Sequence, residues 1–159
     1  AGGGAGGGPG WRLSNDSGVA GLPSARPVGT CRRVLVADDE RSNRRLLVRM
    51  LRRCGVQDVV EADDGTTAAD LWRQAADEGR PCDLLMLDIT MIEMNGDEAL
   101  RVILAECAER GMERPVAVAC TGNASTSDRT RYGSCGFTSV LPKPFGVEDV
   151  RSVVSGVGV

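Results

Sequence analysis

From Arg33 onward, five short, largely apolar runs are each followed by a stretch that reads as helix. The runs are RVLVAD (33–38), VQDVVEA (56–62), DLLMLD (83–88), PVAVAC (115–120) and FTSVLP (137–142). Their near-continuous apolar character suits strands buried on both faces. After the first run, Leu47, Met50, Leu51 and Cys54 recur at i, i+3, i+4 and i+7, and Gly55 closes the helix. Ala68, Leu71, Trp72 and Ala75 repeat the pattern, then Leu100, Ile103, Leu104 and Cys107, ended by Gly111. A short polar helix is predicted around Ser125 to Tyr132, and a last helix from about Val147. Strand and helix in strict alternation predict an α/β fold, a doubly wound five-stranded parallel sheet with helices on both faces.

Composition fits one such domain and removes several alternatives. The chain has 159 residues, 42% hydrophobic and 26% charged, with a net charge of −3, so no strong charge points to nucleic acid or a membrane surface. Residues 1–30 begin AGGGAGGGPG and stay rich in Gly, Pro and Ser, which predicts a flexible linker ahead of a domain at 31–159. The first residue is not methionine, so a longer parent chain or a processed product is expected. There is no histidine, which excludes His-ligated metal sites, Ser-His-Asp triads and a phosphohistidine within this sequence. The six cysteines form no CxxC pair and point to a reducing, cytoplasmic setting. No apolar stretch is long enough to predict a membrane segment.

Ligands of parallel α/β sheets bind beyond the carboxyl ends of the strands. The first strand ends in Asp38 and Asp39, the third in Asp88 and the fourth in Thr121, and the fifth delivers Lys143. Taken singly, each has an ordinary explanation as a helix cap or turn residue. Together they bring three carboxylates, a hydroxyl and an ammonium to one sheet edge. Close carboxylates repel unless a cation sits among them, and an all-oxygen set suits a hard ion such as Mg²⁺.

These residues resemble the receiver domain of two-component response regulators. The likeness spans about residues 32 to 159 and rests on VADDERSNRRLL, LDITMIEMNG, ACTGNA and LPKPF, in that order. It implies a flavodoxin-like (βα)5 fold and a phosphoacceptor signalling domain, not a free-standing enzyme. Asp88 then corresponds to the phosphoacceptor, Asp38 and Asp39 to the Mg²⁺-binding acidic pair, Thr121 to the switch hydroxyl and Lys143 to the phosphate-contacting amine. The Thr90 backbone carbonyl would complete the metal shell, with Thr90 and Asn123 flanking the phosphoryl group. The implied partners are a histidine kinase and a histidine phosphotransfer protein. Asn43 and the CTGNA segment, with a Gly-rich linker ahead, resemble the receiver of a hybrid sensor histidine kinase. Too little chain follows Phe145 for a DNA-binding output domain within this sequence.

The sequence departs from the family at two positions. Ile92 stands where a proline usually follows the acceptor, which predicts a looser loop. Val140 stands where an aromatic ring usually reports the switch, three residues before the lysine. Both motivate the alternative of a non-phosphorylated receiver that works as an interaction module. A phosphatase of the haloacid-dehalogenase type would need an acid where Thr90 stands, and a dinucleotide-binding enzyme a glycine-rich turn after the first strand. Away from the site, Arg45, Arg49, Arg52 and Arg53 predict a solvated basic face on the first helix. Met86, Met91 and Met94 read as packing residues, and Trp72 as core or interface filler.

Overall fold

The computed structural model describes residues 31–158, so the predicted linker at 1–30 lies outside the described residues. The elements run β1 (Arg33–Ala37), α1 (Arg41–Arg53), β2 (Asp58–Ala62), α2 (Gly65–Asp77), β3 (Leu84–Asp88), α3 (Gly96–Arg110), β4 (Val116–Thr121), α4 (Thr126–Cys135), β5 (Ser139–Pro142) and α5 (Val147–Gly158). All five strands are parallel in the order β2-β1-β3-β4-β5, the doubly wound sheet that the alternation predicts, in the flavodoxin-like order that the resemblance implies.

Successive residues of a strand point to opposite sides of the sheet, so every central strand feeds two cores. Leu35, Leu85, Leu87, Ala117 and Ala119 join Ala68, Trp72, Leu100, Ile103 and Tyr132 on the side of α2, α3 and α4. Val34, Val36, Leu84, Met86, Val118 and Cys120 join Leu47, Leu51 and Val150 on the side of α1 and α5. β3 is buried along its whole length, its terminal Asp88 included, which explains the lack of polar alternation in DLLMLD. Trp72 is 1% exposed and belongs to the core, with the Arg110 guanidinium 5.9 Å from its ring centroid. Met86 and Met91 are buried, while Arg45, Arg49, Arg52 and Arg53 are exposed along α1.

Two strand starts fall two residues later than the apolar runs suggest, for one shared reason. α1 is closed off by Gly55, two residues past its last turn, which takes a left-handed φ of 93°, and the Val56 N–H closes back on the Leu51 carbonyl at 3.0 Å. Val56 therefore belongs to the helix's Schellman closure, in which an apolar residue follows the glycine and packs back on the last turn. α4 ends the same way at Gly136, with Phe137 N–H bonded to the Tyr132 carbonyl at 3.1 Å. β2 and β5 consequently begin at Asp58 and Ser139.

Candidate functional site

The strand order reverses beside β1, whose neighbours are β2 on one side and β3 on the other. Such a switch point opens a crevice beyond the strand ends, because the connecting helices leave toward opposite faces. Asp38 follows β1 directly and Asp88 closes β3, so the two acids stand on either side of that crevice. Asp38, Asp39 and Asp88 each offer a carboxylate oxygen, and these oxygens all lie within 4.8 Å of one another. Asp38 and Asp88 are buried, and Asp39 is exposed at the mouth.

Lys143 reaches the acids from β5, on the far side of β4. Its Nζ lies 3.2 Å from Asp88 Oδ2 and 3.3 Å from Asp38 Oδ2. Backbone bonds aim it there: Pro142 is in register with Thr121, and the Lys143 N–H donates to the Thr121 carbonyl at 2.8 Å. The Lys143–Pro144 peptide is cis, the isomer that the sequence alone leaves open. Thr121, 4% exposed, ends β4, and its Oγ1 accepts the Asn123 N–H at 3.0 Å. The five residues named from strand ends thus meet on one edge. Thr90 is exposed, and its N–H donates to Asp88 Oδ1 at 3.2 Å.

Three carboxylates against one ammonium leave the site short of positive charge. Burial pushes the Asp88 carboxyl above its ordinary pKa; Lys143 opposes that rise and the Asp38 charge adds to it. Burial also works against the Lys143 ammonium, but Asp88 and Asp38 together outweigh it and hold its pKa above the usual lysine value. Both groups therefore grip protons more tightly than normal, Asp88 chiefly through burial and Lys143 through the two carboxylates beside it. Clustered hard oxygen donors with unmet charge fit a divalent ion such as Mg²⁺. Asp38, Asp39 and Asp88 are the side chains able to hold it.

The loop after Asp88 is fixed by contacts that the sequence reading did not single out. The Gly65 N–H, at the start of α2, donates to the Met94 carbonyl at 3.0 Å, and the Gly96 N–H donates to the Ile89 carbonyl at 2.9 Å. Asn95 Oδ1 accepts the Met91 N–H at 3.1 Å, while Glu98 accepts the Asn95 N–H at 2.9 Å. A Cβ on Gly65 would fall 2.3 Å from the Met94 carbonyl oxygen, and one on Gly96 2.3 Å from the Asp88 backbone carbonyl oxygen. The spacing Asn95-x-x-Glu98 is a capping signal visible in the sequence; the packing role of Gly65 has none. Ile92 projects from this loop 79% exposed. On the other flank, a cavity of about 370 Å³ runs from Asp38 and Lys143 along Asn43, Leu46, Met86 and Phe145.

A family model described as the response regulator receiver domain matches residues 34–155. The virulence sensor protein BvgS of Bordetella bronchiseptica is 36% identical over 121 residues, which is 75% of this chain and 9% of that protein. The chain thus spans about a tenth of the length of that curated relative. A chemotaxis protein CheY homolog of Campylobacter jejuni is 31% identical over 133 residues, 79% of this chain and 97% of that protein. Among solved structures, a mutant receiver domain of the histidine kinase CKI1 from Arabidopsis thaliana superposes with a TM-score of 0.65 at 28% identity, over 77% of this chain and 89% of that one.

Proposed function

The chain belongs to the response regulator receiver domain family, and on that premise we propose that it takes a phosphoryl group from a phosphohistidine onto Asp88. An Asp88 oxygen attacks phosphorus, the phosphorus–nitrogen bond of the donor imidazole breaks with its electron pair leaving on nitrogen, and an acyl phosphate remains. A carboxylate is a weak nucleophile, so the site contributes positioning and charge compensation. Lys143, already paired with Asp88, offsets the charge gathered on the transferring group. Asp38, Asp39, Asp88 and the Thr90 carbonyl would hold a Mg²⁺ ion, which when bound would supply further positive charge to the site. The product adds roughly −1.5 to −2 charge and strong acceptor oxygens. Thr121 turns its hydroxyl toward one of them, which moves the loop at 122–125 and the surface of α4.

The observation that carries this reading is the meeting of Asp38, Asp39, Asp88 and Lys143, with Nζ 3.2 Å from the acceptor carboxylate. The donor we infer is a histidine kinase, with a histidine phosphotransfer protein as a second partner; the likeness to a sensor protein and to a histidine kinase's receiver supports a hybrid-kinase setting. Among the described residues, no helix is long and apolar enough to cross a membrane.

Intact-mass spectrometry of the chain after incubation with a small-molecule phosphodonor tests the reading. A single adduct that needs Mg²⁺ and is lost in Asp88→Asn is the expected result. No adduct, where a control receiver is labelled in parallel, would refute it and leave a docking module.

A further inference from the structure

α4 is almost wholly polar, TSDRTRYGSC, and Tyr132 is its one buried residue. The ring meets Phe137 edge-on at 6.2 Å and 79°, and the Arg131 guanidinium lies 4.7 Å from its centroid. Arg131 also faces Asp97, in the first turn of α3, at 4.0 Å. At the polar end of the ring, the Tyr132 hydroxyl donates to the Asn123 carbonyl at 3.4 Å. Asn123 in turn donates its N–H to Thr121 Oγ1 at 3.0 Å. One residue of backbone therefore separates the Thr121 hydroxyl from the aromatic anchor that holds α4 on the sheet.

We propose that Tyr132 is the positioning residue that couples Thr121 to α4, through Asn123. The inference rests on Thr121 being the switch hydroxyl, as set out above. Val140, where the family usually carries its reporting aromatic, has no polar atom on its side chain and cannot bond to the loop. Tyr132 offers both a ring and a hydroxyl from α4 instead. When Thr121 Oγ1 moves toward a phosphoryl oxygen, the Asn123 N–H loses its acceptor and the peptide that follows is free to turn. That peptide carries the carbonyl held by Tyr132, so the loop cannot turn without the buried hydroxyl following it or losing its partner. A buried polar group left unpaired is costly, which makes the two arrangements alternatives to each other. The movement then passes along the Tyr132 ring to Arg131 and α3.

The chain contains a single tyrosine, so labelling with ring-¹³C tyrosine gives one reporter. The full chain is labelled, treated with a small-molecule phosphodonor and Mg²⁺, and divided between NMR and intact-mass spectrometry. The adducted fraction is expected to show a displaced Tyr132 signal, and adducted Thr121→Ala an undisplaced one. An unmoved signal in adducted wild-type protein, or equal displacement in Thr121→Ala, would overturn the coupling. A second arm needs no phosphorylation. Tyr132→Phe keeps the ring and removes only the hydroxyl, and it is expected to speed hydrogen exchange at the Asn123 amide roughly 2- to 12-fold, the value of one ordinary hydrogen bond, with Ile103 in α3 unchanged. Unaltered exchange at Asn123 refutes the relay even if Asp88 is never phosphorylated, whereas absence of an adduct bears on the phosphoacceptor reading alone.

Discussion

Replacing Gly65 with alanine sets two effects of opposite sign against each other. Gly65 is the first residue of α2 after the Asp64 cap, and alanine there gains helix propensity worth about 1 kcal/mol at most. The added Cβ would stand 2.3 Å from the Met94 oxygen, where contacts under 3.0 Å are essentially never seen. Relief requires the Met94 carbonyl to retreat by roughly 0.7 Å or more, and that carbonyl is the acceptor for the Gly65 N–H at 3.0 Å. Overpacking of this kind costs about 1–3 kcal/mol, and the strained bond adds about 1 kcal/mol. The net expectation for Gly65→Ala is a loss of about 1–3 kcal/mol, measured by urea unfolding with far-UV circular dichroism. Gly133 provides the control: it lies inside α4, and a Cβ added there would meet nothing within 4 Å. Gly133→Ala should therefore stabilise the protein by about 0.5–1 kcal/mol. If Gly65→Ala proved as stable as wild type, or shifted in the same direction as Gly133→Ala, the loop after Asp88 would not be pinned against α2.

Two further tests concern the core. Trp72→Ala empties a fully buried site at the α2 face and should cost about 3–5 kcal/mol in urea unfolding; a loss below about 1 kcal/mol would mean that Trp72 is not part of the packed interior. Cys82 is buried, and burial is the main reason its thiol is pushed up to about 12 from 9.0. The unfolded chain ionises first as pH rises, so the stability due to the neutral thiol is full below pH 9 and is lost between 9 and about 12. Between pH 8 and pH 10, wild-type protein should lose about 1.4 kcal/mol more than Cys82→Ala; equal losses in the two proteins would count against this.

Much of the site is legible in the sequence because strand ends are legible. A buried strand shows itself as an apolar run, and the first polar residue after it must stand at the sheet edge, so Asp38, Asp88 and Lys143 can be brought together from order alone. The starts of β2 and β5 are less visible, since an apolar residue after a helix-ending glycine looks the same whether it opens a strand, as Val56 and Phe137 suggest, or closes a helix, as both do. The polar fourth helix continues to Cys135, three residues beyond its sequence signal, because its apolar pattern stops at Tyr132. Contacts between distant backbones leave no trace at all: nothing near Gly65 in the chain announces that Met94 lies against it. The Tyr132 hydroxyl is likewise silent, because its partner is a carbonyl, which every residue possesses.

The ion pair between Asp38 and Lys143 joins positions 105 residues apart, and β5, which delivers the lysine, is among the described residues an edge strand paired with β4. Synthesis makes the acids early and their counter-charge late. A copy stalled or clipped ahead of its fifth strand carries Asp38 and Asp88 but not the ammonium that pairs with them both. Chain order thereby ties the charge balance of the acid cluster to a closed sheet: the two buried carboxylates meet their ammonium only when the last strand docks on β4.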